Sequence, residues 1–332
     1  MIHQFNMPLL TFDNDGVREF LAELNDAMLF AGLTRSTLPD QLDINNVTYP
    51  QLTGSDSGFR MLLPVIYDYD DGIGDKIRVS FEVGKYRSSS VTSVLACDTY
   101  SLVRTTVGSV NPVDNSTKSN PFIALGWHGS VTSIFGNSGS KIAGDTAERY
   151  TKHMSNEKSF IITGEGFLCV CIQPYYKQFS SNSNTESPVH THVFFAVERS
   201  HSGVVYNNDY LNVLSYTHVP TLTGNPNNSV QYLVTVVGNT NFSSTQNILY
   251  PVDVVAPNGF NVYNILKRNN TGAIESYFKN LFVCSSLVTG HGNKITMNYN
   301  VQTADVYSVA NTSYTNTLAS VLVPYNLLVR YS

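Results

Sequence analysis

The stretch "VHTHVFFAVERSH", from Val189 to His201, holds the residues best suited to bind a metal. His190 and His192 are two apart, so on a strand their imidazoles project from one face, and Glu198 and His201 follow. Neutral imidazoles with a nearby carboxylate suit divalent ions, and cupin-type sheets use a His-x-His pair with a Glu in this way. Here the glycine spacing before the pair is missing, as is a second half-motif with a further His, and Glu198 stands one residue beyond the place that pattern requires. The alternative is a pair of polar strand residues facing solvent or a partner. Asp68, Asp70, Asp71 and Asp75 offer oxygen ligands to a Ca²⁺ ion without the twelve-residue loop grammar, so a solvated turn is expected. "GNSGSK" has the glycine and lysine of a phosphate loop but not its spacing. Trp127, the single tryptophan, suits a sugar platform or an ordinary core. Cys169 and Cys171 share a strand face and, with Cys97 and Cys284, read as buried thiols. No nucleophile motif stands out. The expectation is a chain with no catalytic residue, no metal and no cofactor.

The bulk composition points the same way. The chain has 332 residues and a 42% hydrophobic fraction, enough to bury a real core. Charged residues make up only 14%, against roughly 25% in an average soluble domain. Polarity comes instead from Asn, Ser, Thr and 20 Tyr, types that favour turns, strands and interfaces. The net charge is -5 and no Lys/Arg run occurs, so the footprint of a nucleic-acid binder is missing. No apolar stretch is long enough to span a bilayer as a helix. The opening "MIHQFNMPLLTFDND" has neither a basic n-region nor an apolar h-region, so no signal peptide is expected. Sparse cysteine fits folding in a reducing cytoplasm.

The elements that must position these residues are strands, with one exception. Val17, Phe20, Leu21, Leu24, Ala27 or Met28, and Ala31 form one apolar stripe at helical spacing. Asp13, Asn14 and Asp15 supply N-cap candidates, and Gly32 followed by Leu33 supplies a left-handed C-cap with its hydrophobic partner. Leu29 and Phe30 widen the apolar face, so the helix either packs on two sides within its own chain or presents an assembly surface made by Phe20, Leu24, Met28 and Phe30. Residues 36–58 read as an extended arm. Pro64 predicts an edge or bulge within "FRMLLPVIYDY". "KIRVSFEV" alternates cleanly, with Ile77, Val79, Phe81 and Val83 on one face. Residues 146–154 suggest a short helix, 177–188 a linker, and the breaker cluster at 220–229 a domain boundary. The predicted fold is mainly β: one or two antiparallel β-sandwiches with an N-terminal amphipathic helix and an extended arm. Its regions are 1–58 (helix and arm), 59–219 (a sandwich-like domain) and 220–332 (a second β-rich region packed on the first).

The opening segment, "FNMPLLTFDNDGVREFLAELNDAMLFAGLTRS" with "QLDI" shortly after, resembles the start of structural proteins from tailed bacteriophages. In those an amphipathic helix ends in Ala-Gly-Leu-x-Arg-Thr/Ser, and a polar connection containing Gln-Leu-Asp leads into strands. The matching residues are Ala31, Gly32, Leu33, Arg35, Ser36, Gln41, Leu42 and Asp43. Glu198, Arg199, Ser200 and Gly203 are similar to a strand ending in Glu-Arg-Ser/Thr with a glycine-containing hairpin in the same kind of protein. The chain departs from the pattern at Asp40, where a glycine is usual before the Gln, and in the later turn, where the acidic residue is displaced. The resemblance covers about a third of the chain. It implies a virion component of tail, baseplate or neck, made in the bacterial host cytoplasm, that works as a homo-oligomer among other virion proteins. A glycan- or receptor-binding module of the virion is the alternative, and a cupin-like metal-dependent enzyme a further one. Neither nucleic acid nor membrane is an expected partner.

Overall fold

A computed structural model of the chain describes residues 1–8, 13–50, 58–87, 99–117, 122–130, 159–172, 176–179, 186–189, 193–199, 211–218, 230–236, 249–251, 262–268, 274–284, 294–299, 302–310 and 326–331. Among them the fold is mainly β, with one helix and twenty strands, and every strand pairing is antiparallel. No helix among the described residues is long and apolar enough to cross a membrane.

The chain begins with β1 (Ile2–Phe5), α1 (Asn14–Phe30) and β2 (Thr34–Arg35). A sheet then forms from β2, β3 (Gly58–Met61), β4 (Val65–Tyr69), β5 (Ile77–Arg87), β6 (Thr99–Ser109) and β7 (Phe122–Ser130), in the order β2-β4-β5-β6-β7. Strands β3 and β4 lie along the same edge of the long β5, and Pro64 falls in the break between them. That is the irregularity a residue without an N–H imposes on a ladder.

A second sheet has the order β1-β8-β9-β12-β13-β14 and brings the first strand back beside β8 (Ser159–Gly164), β9 (Phe167–Ile172), β12 (Val193–Arg199), β13 (Leu211–His218) and β14 (Val230–Val236). The breaker cluster at 220–229 lies outside the described residues, between β13 and β14, which pair with each other in this sheet. The two ends of the 177–188 run are strand, β10 (Tyr176–Phe179) and β11 (Glu186–Val189), which pair with each other, and residues 180–185 lie outside the described residues. The remaining strands form a third sheet: β15 (Leu249–Pro251), β16 (Val262–Arg268), β17 (Ile274–Cys284), β18 (Lys294–Tyr299), β19 (Gln302–Ala310) and β20 (Asn326–Arg330), in the order β15-β16-β17-β20-β19-β18. The short helix expected at 146–154 lies outside the described residues.

Strands β8 and β9 and the described side chains of β12 are buried at almost every position, so the sheet is covered on both faces at these strands. Ile161, Leu168, Val170, Ile172, Phe195 and Val197 join Val65, Tyr67, Val79, Phe81 and the helix in a large cluster. The alternating set Phe160, Ile162, Phe167, Cys169, Cys171 and Ala196 meets Phe278, Leu281 and Val329 of the third sheet in a smaller one. Strand period two sends odd and even residues into different cores.

Local chemistry sets the limits of α1. The Asp13 carboxylate accepts the Gly16 N–H at 2.7 Å, an N-cap contact. At the other end Gly32 has φ +90°, Leu33 N–H donates to Met28 O at 3.0 Å and Gly32 N–H to Leu29 O at 3.1 Å. This is the Schellman arrangement the Gly-Leu pair predicts, with Leu33 buried beneath it.

Candidate functional site

Two places in the fold concentrate unusual side chains: the exposed end of α1 and the end of β12. At the first, Val17, Phe20, Leu21, Leu24 and Met28 are wholly buried in the large cluster of the chain itself. Of the four residues expected to form an assembly surface, Phe20, Leu24 and Met28 are thus core, and only Phe30 is on the outside. The wide apolar face has an internal use. The connection after β2 folds back along the helix, so that Val47 and Tyr49 enter the same cluster. The Tyr49 N–H donates to Asn14 Oδ1 at 2.7 Å and its hydroxyl to Gly84 O at 3.0 Å.

Residues 36–50 are fastened rather than free. The Gln41 amide donates to Ser36 O and Leu38 O, both at 2.8 Å, while its Oε1 accepts the Ile66 N–H at 3.1 Å. Leu42 N–H donates to Pro64 O. Gln41 thereby satisfies backbone groups along the outer edge of β4. The turn leading into it places Asp40 at φ +59°, a left-handed conformation.

Leu29 and Phe30 are left outside this packing, 45% and 66% exposed. Phe30 lies against the His3 ring, with centroids 4.2 Å apart, and His3 in turn stacks on Phe5. Partial burial lowers the His3 pKa below the usual histidine value. The result is an apolar tip where the end of α1 meets β1, the edge strand of its sheet.

At the end of β12, Glu198 and Arg199 are both buried and point to opposite faces. The Glu198 carboxylate accepts the Lys279 N–H at 2.7 Å and the Asn280 N–H at 3.2 Å, both in β17 of the third sheet. The ladder is irregular there: Asn264 pairs with Phe282 but Leu266 with Tyr277, and Lys279 and Asn280 have no register partner in β16 or β20. Such a bulge frees backbone donors, and Glu198 takes them up. Arg199 faces the other way. It grips Asp71 through two contacts, Nε to Oδ2 at 2.6 Å and Nη2 to Oδ1 at 2.9 Å, and also donates to Asp75 O. The side chains of Arg199 and Asp71 are 3% and 0% exposed. Two consecutive residues thus tie the central sheet to both of its neighbours.

A second buried pair stands close by in sequence. Arg78 donates to both Asp68 oxygens, at 2.7 and 2.9 Å, to Ser36 Oγ and to the Asn115 backbone and side chain. The turn expected to be solvated is exposed at Asp70 and at residues 72–74, but not at Asp68 and Asp71. Asp68 and Asp71 are buried counter-ions of Arg78 and Arg199, and Asp70 caps the Gly72 N–H at 3.1 Å. The oxygens of Asp68 and Asp71 are engaged by guanidinium and backbone donors. A sequence this poor in charge carries a signal for such pairs: an Arg within or closing an apolar strand run, as in "IRVSF" and "FFAVER", with an Asp-rich turn elsewhere.

The remaining candidates divide simply. His190, His192, His201 and the "GNSGSK" segment lie outside the described residues, and Glu198 serves backbone amides. Among the described residues no three His, Cys, Asp or Glu side chains gather as a metal site. Trp127 lies on β7 and Cys284 on β17, with side chains outside the described residues, as is Cys97. Cys169 and Cys171 are buried free thiols. Burial pushes the Cys169 thiol well above the usual cysteine value, which removes the thiolate character a reactive cysteine needs. In comparisons with known proteins, no family model, no curated protein and no solved structure matches the chain.

Proposed function

We propose that the chain is a non-catalytic structural component of a tailed-phage virion, in the tail, baseplate or neck. It acts through self-association and docking to neighbouring virion proteins. The layered sheets are read as a β-sandwich body with residues 36–58 as an arm, of which 36–50 are described and run along the edge of β4.

The observation that carries the assembly reading is the apolar tip of Leu29 and Phe30 beside the β1 edge. A phenylalanine 66% exposed at the end of an otherwise buried apolar stripe suits contact with a neighbouring subunit. The phage origin rests on the resemblance. Its quoted residues have defined structural duties: Gly32 and Leu33 close the helix, Gln41 and Leu42 line the edge of β4, and Glu198 and Arg199 join three sheets.

Light scattering after size exclusion tests the assembly step. The wild type is expected to associate, and Phe30→Asp to shift toward monomer with an unchanged circular-dichroism spectrum. A wild-type monomer at all concentrations, together with normal incorporation of Phe30→Asp into particles, overturns the role of the tip. Locating the protein's density in an imaged particle tests the virion assignment. Binding of host cells by the isolated protein would favour the glycan-binding alternative instead.

A further inference from the structure

We infer that the third sheet, β15 through β20, is a separately releasable layer, and that Glu198 is a polar latch that, beside the smaller apolar cluster, holds it to the central sheet. The inference does not depend on the virion reading.

Connectivity supplies the first argument. The chain starts in the central sheet with β1, passes through α1 and the whole of the first sheet, and returns to the central sheet at β8. Those two sheets are interleaved, share the large cluster with the helix, and are joined by Arg199 and Asp71. The third sheet is reached after β14, its strands run consecutively to β20, and its ladders are closed among themselves. Among the described residues it can leave the body without breaking a backbone pairing of the other two sheets, though its departure opens the smaller apolar cluster that Phe278, Leu281 and Val329 share with the central sheet.

The polar contact supplies the second. The Lys279 and Asn280 amides lack register partners in their own sheet, and Glu198 reaches across to accept both. The carboxylate fits this task because its two oxygens accept two donors at once and carry none. When the layers part, Phe278, Leu281 and Val329 come off the central sheet as the Glu198 carboxylate and the two amides pass to water. Separation is then a cooperative sub-global opening distinct from unfolding of the body.

Native-state hydrogen exchange on the full chain, read by mass spectrometry at low denaturant, tests this. In the wild type, β17 and β20 amides are expected to exchange through an opening more frequent than that of α1, β5 and β9. Glu198→Gln keeps the shape but turns an N–H₂ toward backbone donors. It is expected to speed exchange in β17 by about ten-fold or more while α1 and β5 keep wild-type protection. Equal loss of protection in all three sheets, or unchanged β17 exchange, overturns the latch. A single common opening for every strand of the wild type overturns the separable layer even where the variant fails to fold.

Discussion

Arg199 and Asp71 stand 128 residues apart in sequence, and their side chains meet in a buried two-point ion pair at 2.6 and 2.9 Å. The pair closes the turn between β4 and β5 against the end of β12. It fixes where the first sheet ends relative to the central one. Arg199 N–H also donates to Gly166 O, so the residue is held by backbone as well as side chain.

Removing one member of such a pair leaves an uncompensated buried charge, which costs about 3–5 kcal/mol. Asp71→Asn and Arg199→Met are each expected to lower stability by that order in chemical denaturation. The double variant Asp71→Leu/Arg199→Met is expected to lose clearly less than the sum of its singles, because no charge is then stranded. Additive losses would show that the two groups are not coupled. Arg199→Lys, which loses the planar fork, is expected to recover only part of the stability.

Asp40 adopts φ +59°, where a Cβ is sterically unwelcome and glycine is not. Asp40→Gly is expected to raise stability by about 0.5–1 kcal/mol, seen as a higher melting temperature with an unchanged fold. A lower melting temperature would mean that the Asp40 side chain does more than tolerate the turn.

Tyr67 is buried against the Arg35 guanidinium, which lies 5.4 Å from its ring centroid, and its hydroxyl donates to Asn25 of the helix at 3.2 Å. Burial raises its pKa from 10.0 to about 12. The folded chain therefore holds this proton more tightly than the unfolded chain. The resulting stabilisation is complete below pH 10 and is lost as pH rises through about 12. Stability measured across that range is expected to fall less steeply in Tyr67→Phe than in the wild type. Parallel profiles would show that Tyr67 does not contribute to the alkaline loss.

Much of the local structure was legible in the sequence because its causes are local. Asp13, Gly32 and Leu33 mark the helix ends through contacts within a few residues. The alternation Ile77, Val79, Phe81, Val83 defines the buried face of β5, and Pro64 marks the ladder break. "FLCVCI" and "SFIIT" carried a further signal, since an apolar run without alternation belongs to a strand covered on both faces.

The sequence by itself determined that the chain is mainly β with one capped amphipathic helix, because caps, periods and breakers act through neighbours in the chain. Tertiary structure decided what covers each face. It placed Phe20, Leu24 and Met28 inside and Phe30 outside, because residues 47–49 return to the helix from beyond β2. It carried one sheet across the breaker cluster at 220–229. It also made Glu198, a candidate metal ligand in the sequence, and Arg199 beside it into ties between layers. Their partners, Lys279, Asn280 and Asp71, lie 81, 82 and 128 residues away, too far along the chain for spacing to reveal the meeting.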